Sequence, residues 1–230
     1  MRQRPLDIER TAYRILLDKR WKLEELHQYT KNFDQAYFAY FALHSVSASG
    51  GGNEAIFNRV SSSLTAYPWK GGYSVVSFYT NLKKTIGRKN LPEVKSMKYA
   101  SPGFLDIVAQ LPVIIQMAGV VSTLALSIGS VNKVYNDIYK GMRERKLNEI
   151  DVERAELNLE KEKLDFIKSS CNELADVLKI EDLDVLVKMS GNELRALKVL
   201  QSIYRRVRVL AKYQSQDKAT LLLENPIDED

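Results

Sequence analysis

The chain has 230 residues, 45% of them hydrophobic and 27% charged, which excludes a disordered polypeptide and sets the expectation of one or two folded domains. A formal charge of +5 favours an anionic partner such as nucleic acid, a nucleotide or an anionic lipid surface, without demanding one. One cysteine, Cys171, excludes an internal disulfide framework, and the mixed first twenty residues lack the apolar core of a secretion signal, so a secreted protein is not expected.

Pro5 opens an expected helix to about Lys19, with Ile8, Ala12, Ile15 and Leu16 on one face. A second helix is predicted from Trp21 to Val46. Its Tyr29, Phe33, Tyr37 and Tyr40 recur at helical spacing beside Phe38 and Phe41, and read as an aromatic core. A platform for stacked bases needs more Lys and Arg among these rings than the segment holds. Ser47 to Asn53 is a Gly-rich connector. It lacks the Gly-Lys-Ser/Thr ending of a phosphate-cradling P-loop. Ser61 to Gly72 is a second stretch rich in structure breakers.

Tyr73 to Asn81 is rich in β-branched and aromatic residues and reads as a strand. Val94 to Ala100 alternates Val94, Ser96 and Lys98 against Lys95, Met97 and Tyr99, a second strand. The two are expected to pair as a small antiparallel hairpin or sheet. Ser101-Pro102-Gly103 then ends the strand and leads into a central helix.

Ile107 to Val131 runs without a charge and is long enough to cross a bilayer core. Pro112 suits the first turn of its helix. Ile114, Met117, Val121, Leu124, Ile128 and Val131 form a heptad seam that Tyr135, Ile138 and Met142 continue. Gln116, Gly119, Thr123, Ser127 and Ser130 make a small or polar opposite face. Two readings stay open here. Either the helix is the buried axis of an oligomer, or it enters lipid, its small residues allowing close helix approach. Lys and Arg flank it on both sides, so charge assigns no orientation.

Beyond Met142, Ile150, Leu157, Leu164, Cys171 and Leu178 recur seven apart among Glu and Lys, the pattern of a coiled coil or helical hairpin. A continuous rod from Pro112 to Lys179 would reach about 100 Å; a turn near Asn148 is the compact alternative. Asp182 to Met189 is a short helix. Asn192 caps the last helix, which runs to about Gln214 with Leu197, Leu200, Tyr204, Val207 and Ala211 as its apolar face. Arg195, Lys198, Arg205, Arg206, Arg208 and Lys212 form its basic side and are the candidate ligand residues. The competing expectation pairs these cations with the glutamates of Glu153 to Glu162. The tail from Ala219 is expected to be loose.

Little in the sequence points to catalysis. His27 and His44 have no Cys or carboxylate companions at metal-ligand spacing, so neither a metal nor a cofactor is expected. Cys171 falls on an apolar seam. Glu93-Val94-Lys95 has the acidic-x-Lys form that metal-dependent nucleases use, but no aspartate lies between Asp34 and Asp106 to complete it.

The order of strand-containing head, Ser-Pro-Gly turn, apolar helix and Glu/Lys-rich rod, from Tyr73 to about Lys179, resembles the layout of small helical effectors of bacterial anti-phage signalling systems. The resemblance implies location in the cytoplasm or inner membrane of a bacterium and assemblies that disturb a membrane when a nucleotide-type ligand binds. The expected fold is mainly α, with a long central helix, a coiled-coil-like rod and a small antiparallel β element before them. Its divisions are residues 1–106, 107–142, 143–216 and an acidic tail 217–230. The expected function is a homo-oligomeric, channel-like membrane effector that is not an enzyme, gated by a nucleotide or oligonucleotide. The alternatives are a coiled-coil adaptor scaffolding a partner enzyme and a metal-dependent nuclease.

Overall fold

The computed structural model describes residues 10–47, 54–69, 71–150 and 159–224. From Arg10 to Leu17 (β1), Tyr13, Ile15 and Leu17 are buried while Leu16 faces away, the period-two pattern of a strand. The helix expected from Pro5 to Lys19 is thus corrected over Arg10–Leu17; residues 1–9, Ile8 among them, lie outside the described residues. β1 joins an antiparallel sheet of order β2-β3-β1-β4, with β2 at Glu93–Lys98, β3 at Gly103–Gln110 and β4 at Ala219–Leu221. The strand expected at Val94 to Ala100 therefore forms, but pairs with β3 across the Ser-Pro-Gly turn. Gly103 closes that turn because a Cβ there would collide with the backbone of Lys98 and Ala100. The tail is not loose as far as Leu221, since β4 pairs with β1 and the Tyr13 hydroxyl donates to the Leu222 carbonyl.

Tyr73 to Asn81 is not a strand. It lies in helix α3 (Gly71–Ile86), which follows α1 (Leu23–Ser47) and α2 (Glu54–Thr65). Phe78, Leu82 and Ile86 are buried at four-residue intervals while Tyr73 and Val76 are exposed, so helical burial overrides β propensity. On α1 the expected aromatic core forms: Tyr29, Phe33, Tyr37, Phe38, Tyr40 and Phe41 are all buried. Tyr40 donates to the Leu178 carbonyl at 2.9 Å, and the Tyr37 hydroxyl accepts from Gln110 N–H at 3.2 Å.

The uncharged stretch divides. Ile107–Gln110 completes β3, and helix α4 runs from Leu111 to Leu126 with Pro112 in its first turn. At Ser127 the chain leaves helical geometry, and α5 (Ile128–Glu144) departs at 96°. Ser127 Oγ and Ser127 N–H both donate to the Thr123 carbonyl, at 2.7 and 3.1 Å, and such side-chain competition helps end the helix there. No single helix among the described residues is long and apolar enough to cross a membrane. The continuous rod from Pro112 to Lys179 does not form: α5 ends at Glu144 and α6 spans Lys161–Val177. Leu157 of the expected heptad lies outside the described residues, whereas Cys171 and Leu178 are buried.

The short helix α7 (Leu183–Ser190) precedes α8 (Glu193–Ser215), whose Asn192 cap accepts from the Arg195 N–H at 2.9 Å. α8 is the axis of the fold. Every residue from Leu194 to Tyr204 is buried, with α1, α4 and α6 packed around it. Ile114, Met117, Val121 and Leu124 are at most 1% exposed, so this part of the predicted seam is covered by the chain's own helices. Ile128 and Val131, beyond the bend, are partly buried on α5.

Candidate functional site

α5 lies along α8 and forms one wall of a groove. At 3.6 residues per turn, Gln201, Arg205, Arg208 and Lys212 fall within about 60° of arc on α8, and so do Asn132, Asn136 and Tyr139 on α5. The helices run antiparallel. Ile128, Asn132 and Asn136 face Arg208 and Lys212 around a cavity of about 460 Å³. Tyr139 faces Gln201 and Arg205 around a second cavity of about 290 Å³. Between them the walls are pinned by Tyr135 and Tyr204. Their rings stack at 4.6 Å, and the Tyr204 hydroxyl donates to Asn132 Oδ1 at 3.0 Å.

The six predicted cations divide by environment. Arg195 is 5% exposed and donates to the Ser190 carbonyl, which fixes the α7–α8 corner. Arg206 lies 4.5 Å over the Tyr79 ring and donates to Gln35 Oε1 at 2.9 Å and the Ser202 carbonyl at 3.1 Å. Both hold the fold together, and burial lowers the pKa of Arg206 below its ordinary value. The other four line the groove. Lys198 is buried, with Nζ 3.3 Å from the Trp69 carbonyl, whereas Arg205, Arg208 and Lys212 are exposed. No carboxylate among the described residues pairs with these three. Of the glutamates expected to neutralise them, Glu160 pairs with Lys163 and Glu162 with Arg145, while Glu153 and Glu156 lie outside the described residues.

The field of these cations reaches the aromatic pin. Burial pushes the Tyr135 hydroxyl above its ordinary pKa, and Arg205 and Arg208 pull it back. Burial likewise raises the Tyr204 hydroxyl to about 12 against the pull of Arg208. Glu25, the carboxylate at the larger cavity, is already occupied. Both its oxygens sit 2.9 Å from Lys218 Nζ, and one also accepts from Lys22 N–H at 2.8 Å. The result is a groove in which Arg205, Arg208 and Lys212 have no carboxylate partner among the described residues, beside amide side chains and an exposed aromatic edge.

No family model matches the chain, and no curated protein or solved structure is detectably similar to it.

The predicted pore face has local partners. Gln116 Nε2 donates to the Lys179 carbonyl at 3.1 Å, and Thr123 Oγ1 to the Gly119 carbonyl at 2.8 Å. Gln116 and Gly119 line a separate cavity of about 500 Å³ beside His44 and Lys179. For the nuclease reading, the structure brings Asp106 of β3 opposite Ser96, next to Lys95. The carboxylate is spent, because Arg14 donates to its two oxygens at 2.7 and 2.8 Å and Ser96 donates at 2.8 Å. Glu93 turns to Arg10, 3.5 Å away. The described residues hold no group of three His, Cys, Asp or Glu side chains that could ligate a metal.

Sequence reasoning missed Gln201, Tyr139, Asn132 and Asn136. Gln201 lies four residues before Arg205, on the same stripe, so helical spacing could have found it. The α5 side chains could not be found that way, because their role depends on the bend at Ser127.

Proposed function

We propose that this chain binds a phosphate-bearing ligand of the nucleotide or short oligonucleotide class in the α5–α8 groove. The supporting observation is the row Arg205, Arg208 and Lys212, which has no carboxylate partner among the described residues. Along a helix axis these cations are about 4.5 and 6 Å apart, a spacing that suits successive phosphates of one linear ligand. Phosphates on α8 and the amides of Asn132 and Asn136 on α5 would be bridged by the same molecule. The ligand thereby favours the state in which α5 lies against α8, by its differential affinity for that state. This is a sensing or regulatory role with no chemical step assigned to it.

Fluorescence anisotropy with a labelled hexanucleotide, and calorimetry with adenosine triphosphate, test the proposal. Each single change, Arg208→Ala or Lys212→Ala, is expected to weaken binding about tenfold, about 1.4 kcal/mol, and added salt to weaken it further. Both side chains are exposed, so melting temperature without ligand should barely move. Absence of binding by either probe at low salt, or undiminished binding by the double variant, overturns the proposal.

A further inference from the structure

We propose that the Gln201 end of the groove is a nucleobase subsite, so that the ligand is a nucleotide and not a bare polyphosphate. This rests on the phosphate-binding reading of the same groove and adds what recognises the rest of the molecule.

Gln201 is 5% exposed, and its Nε2 has no hydrogen-bond partner among the described residues. A buried amide donor is ordinarily satisfied, and the Gln201 residue that carries this one lines the cavity of about 290 Å³. A carboxamide offers a donor and an acceptor side by side. That pair matches the edge of a heterocyclic base, whereas a phosphate oxygen uses the donor alone. No carboxylate among the described residues lines the cavity, and the buried Lys198 ammonium stands on its wall.

The aromatic geometry fits a planar ring. Tyr139 is 43% exposed and stacks on Tyr135, with centroids 6.3 Å apart and planes 12° apart. Tyr135 in turn stacks on Tyr204. A base entering beside Gln201 meets the exposed end of this ladder, and stacking of that kind tolerates any base. Arg205 stands at the same cavity, and Arg208 and Lys212 continue along the stripe. The base thus occupies the Gln201 end, with its phosphates directed towards Lys212.

Calorimetry at one ionic strength compares the four ribonucleoside triphosphates with inorganic tripolyphosphate on the full chain. At least one triphosphate should bind ten or more times tighter than tripolyphosphate. Gln201→Leu, which removes the orphan donor, and Tyr139→Ala, at an exposed ring, should each erase most of that preference and leave tripolyphosphate affinity unchanged. If one variant fails to fold, the other decides. Equal affinity of wild type for tripolyphosphate and all four nucleotides, or a preference that survives both substitutions, overturns the base subsite while the phosphate groove stands. Failure of every probe to bind overturns the groove itself.

Discussion

The rings of Tyr135 on α5 and Tyr204 on α8 lie 4.6 Å apart with their planes 17° apart, and this stack is the main pin between the two walls of the groove. Tyr135 is 8% exposed, so Tyr135→Ala should cost about 3 kcal/mol by the scale of buried aromatic truncations. Hydrogen exchange should accelerate across residues 128–144 and leave the buried half of α8 protected. Tyr204→Phe keeps the stack and loses only the bond to Asn132, a cost of about 1 kcal/mol.

Asp34 gives the fold a pH dependence. Burial raises its carboxyl from 3.8 to about 6, and the charge of Lys83 only partly opposes this. As pH rises the unfolded chain loses this proton first, so the contribution to stability is full below about pH 4. It is lost progressively up to about pH 6, by about 3 kcal/mol at most. Asp34→Asn should therefore be more stable than wild type in urea at pH 7.5, and equal to it near pH 3.5.

Cys171 is 1% exposed, and burial pushes its thiol up to about 12, with Glu193 adding to the rise. The thiolate is the reactive form. A thiol reagent at pH 8 should therefore leave the folded protein unmodified for as long as it stays folded, and label it fully in denaturant. Labelling at the same rate in both states would contradict the packing of α6 against α8.

β4 is short, but Ala219 and Leu221 are each 1% exposed. Leu221→Ala should cost about 2–4 kcal/mol, within the range for buried leucines. A chain cut after Lys218 should melt lower still, since it leaves an edge of β1 unpaired and the Tyr13 hydroxyl without the Leu222 carbonyl. Thermal melts of the two variants measure this.

Where local pattern and final environment agree, the sequence can be read directly. The aromatic helix, the Asn192 cap, the short α7 and the strand near Val94 all stand close to where their residues place them. Tyr73 to Asn81 misleads because its β-branched and aromatic residues overlie a four-residue repeat, Phe78, Leu82 and Ile86, that runs past its end, and only packing against α1 and α2 decides between the periods. The stretch from Ile107 misleads in another way. Freedom from charge is what a bilayer requires and equally what the centre of a folded chain requires, and α4 meets the second need. The basic side of α8 was legible as a list of cations. Arg195 and Arg206 could not be told from Arg208 until their carbonyl, amide and ring partners were in place.

The pairing of β1 with β4 joins residues separated by about two hundred positions, since Ile15 sits opposite Leu221. The ribosome must add about two hundred residues after β1 before that edge can zip. α8, around which the other helices pack, also emerges late. Nascent α1 and α4 therefore leave the exit tunnel before α8 can cover their greasy faces, and until it follows them that uncovered surface is open to aggregation.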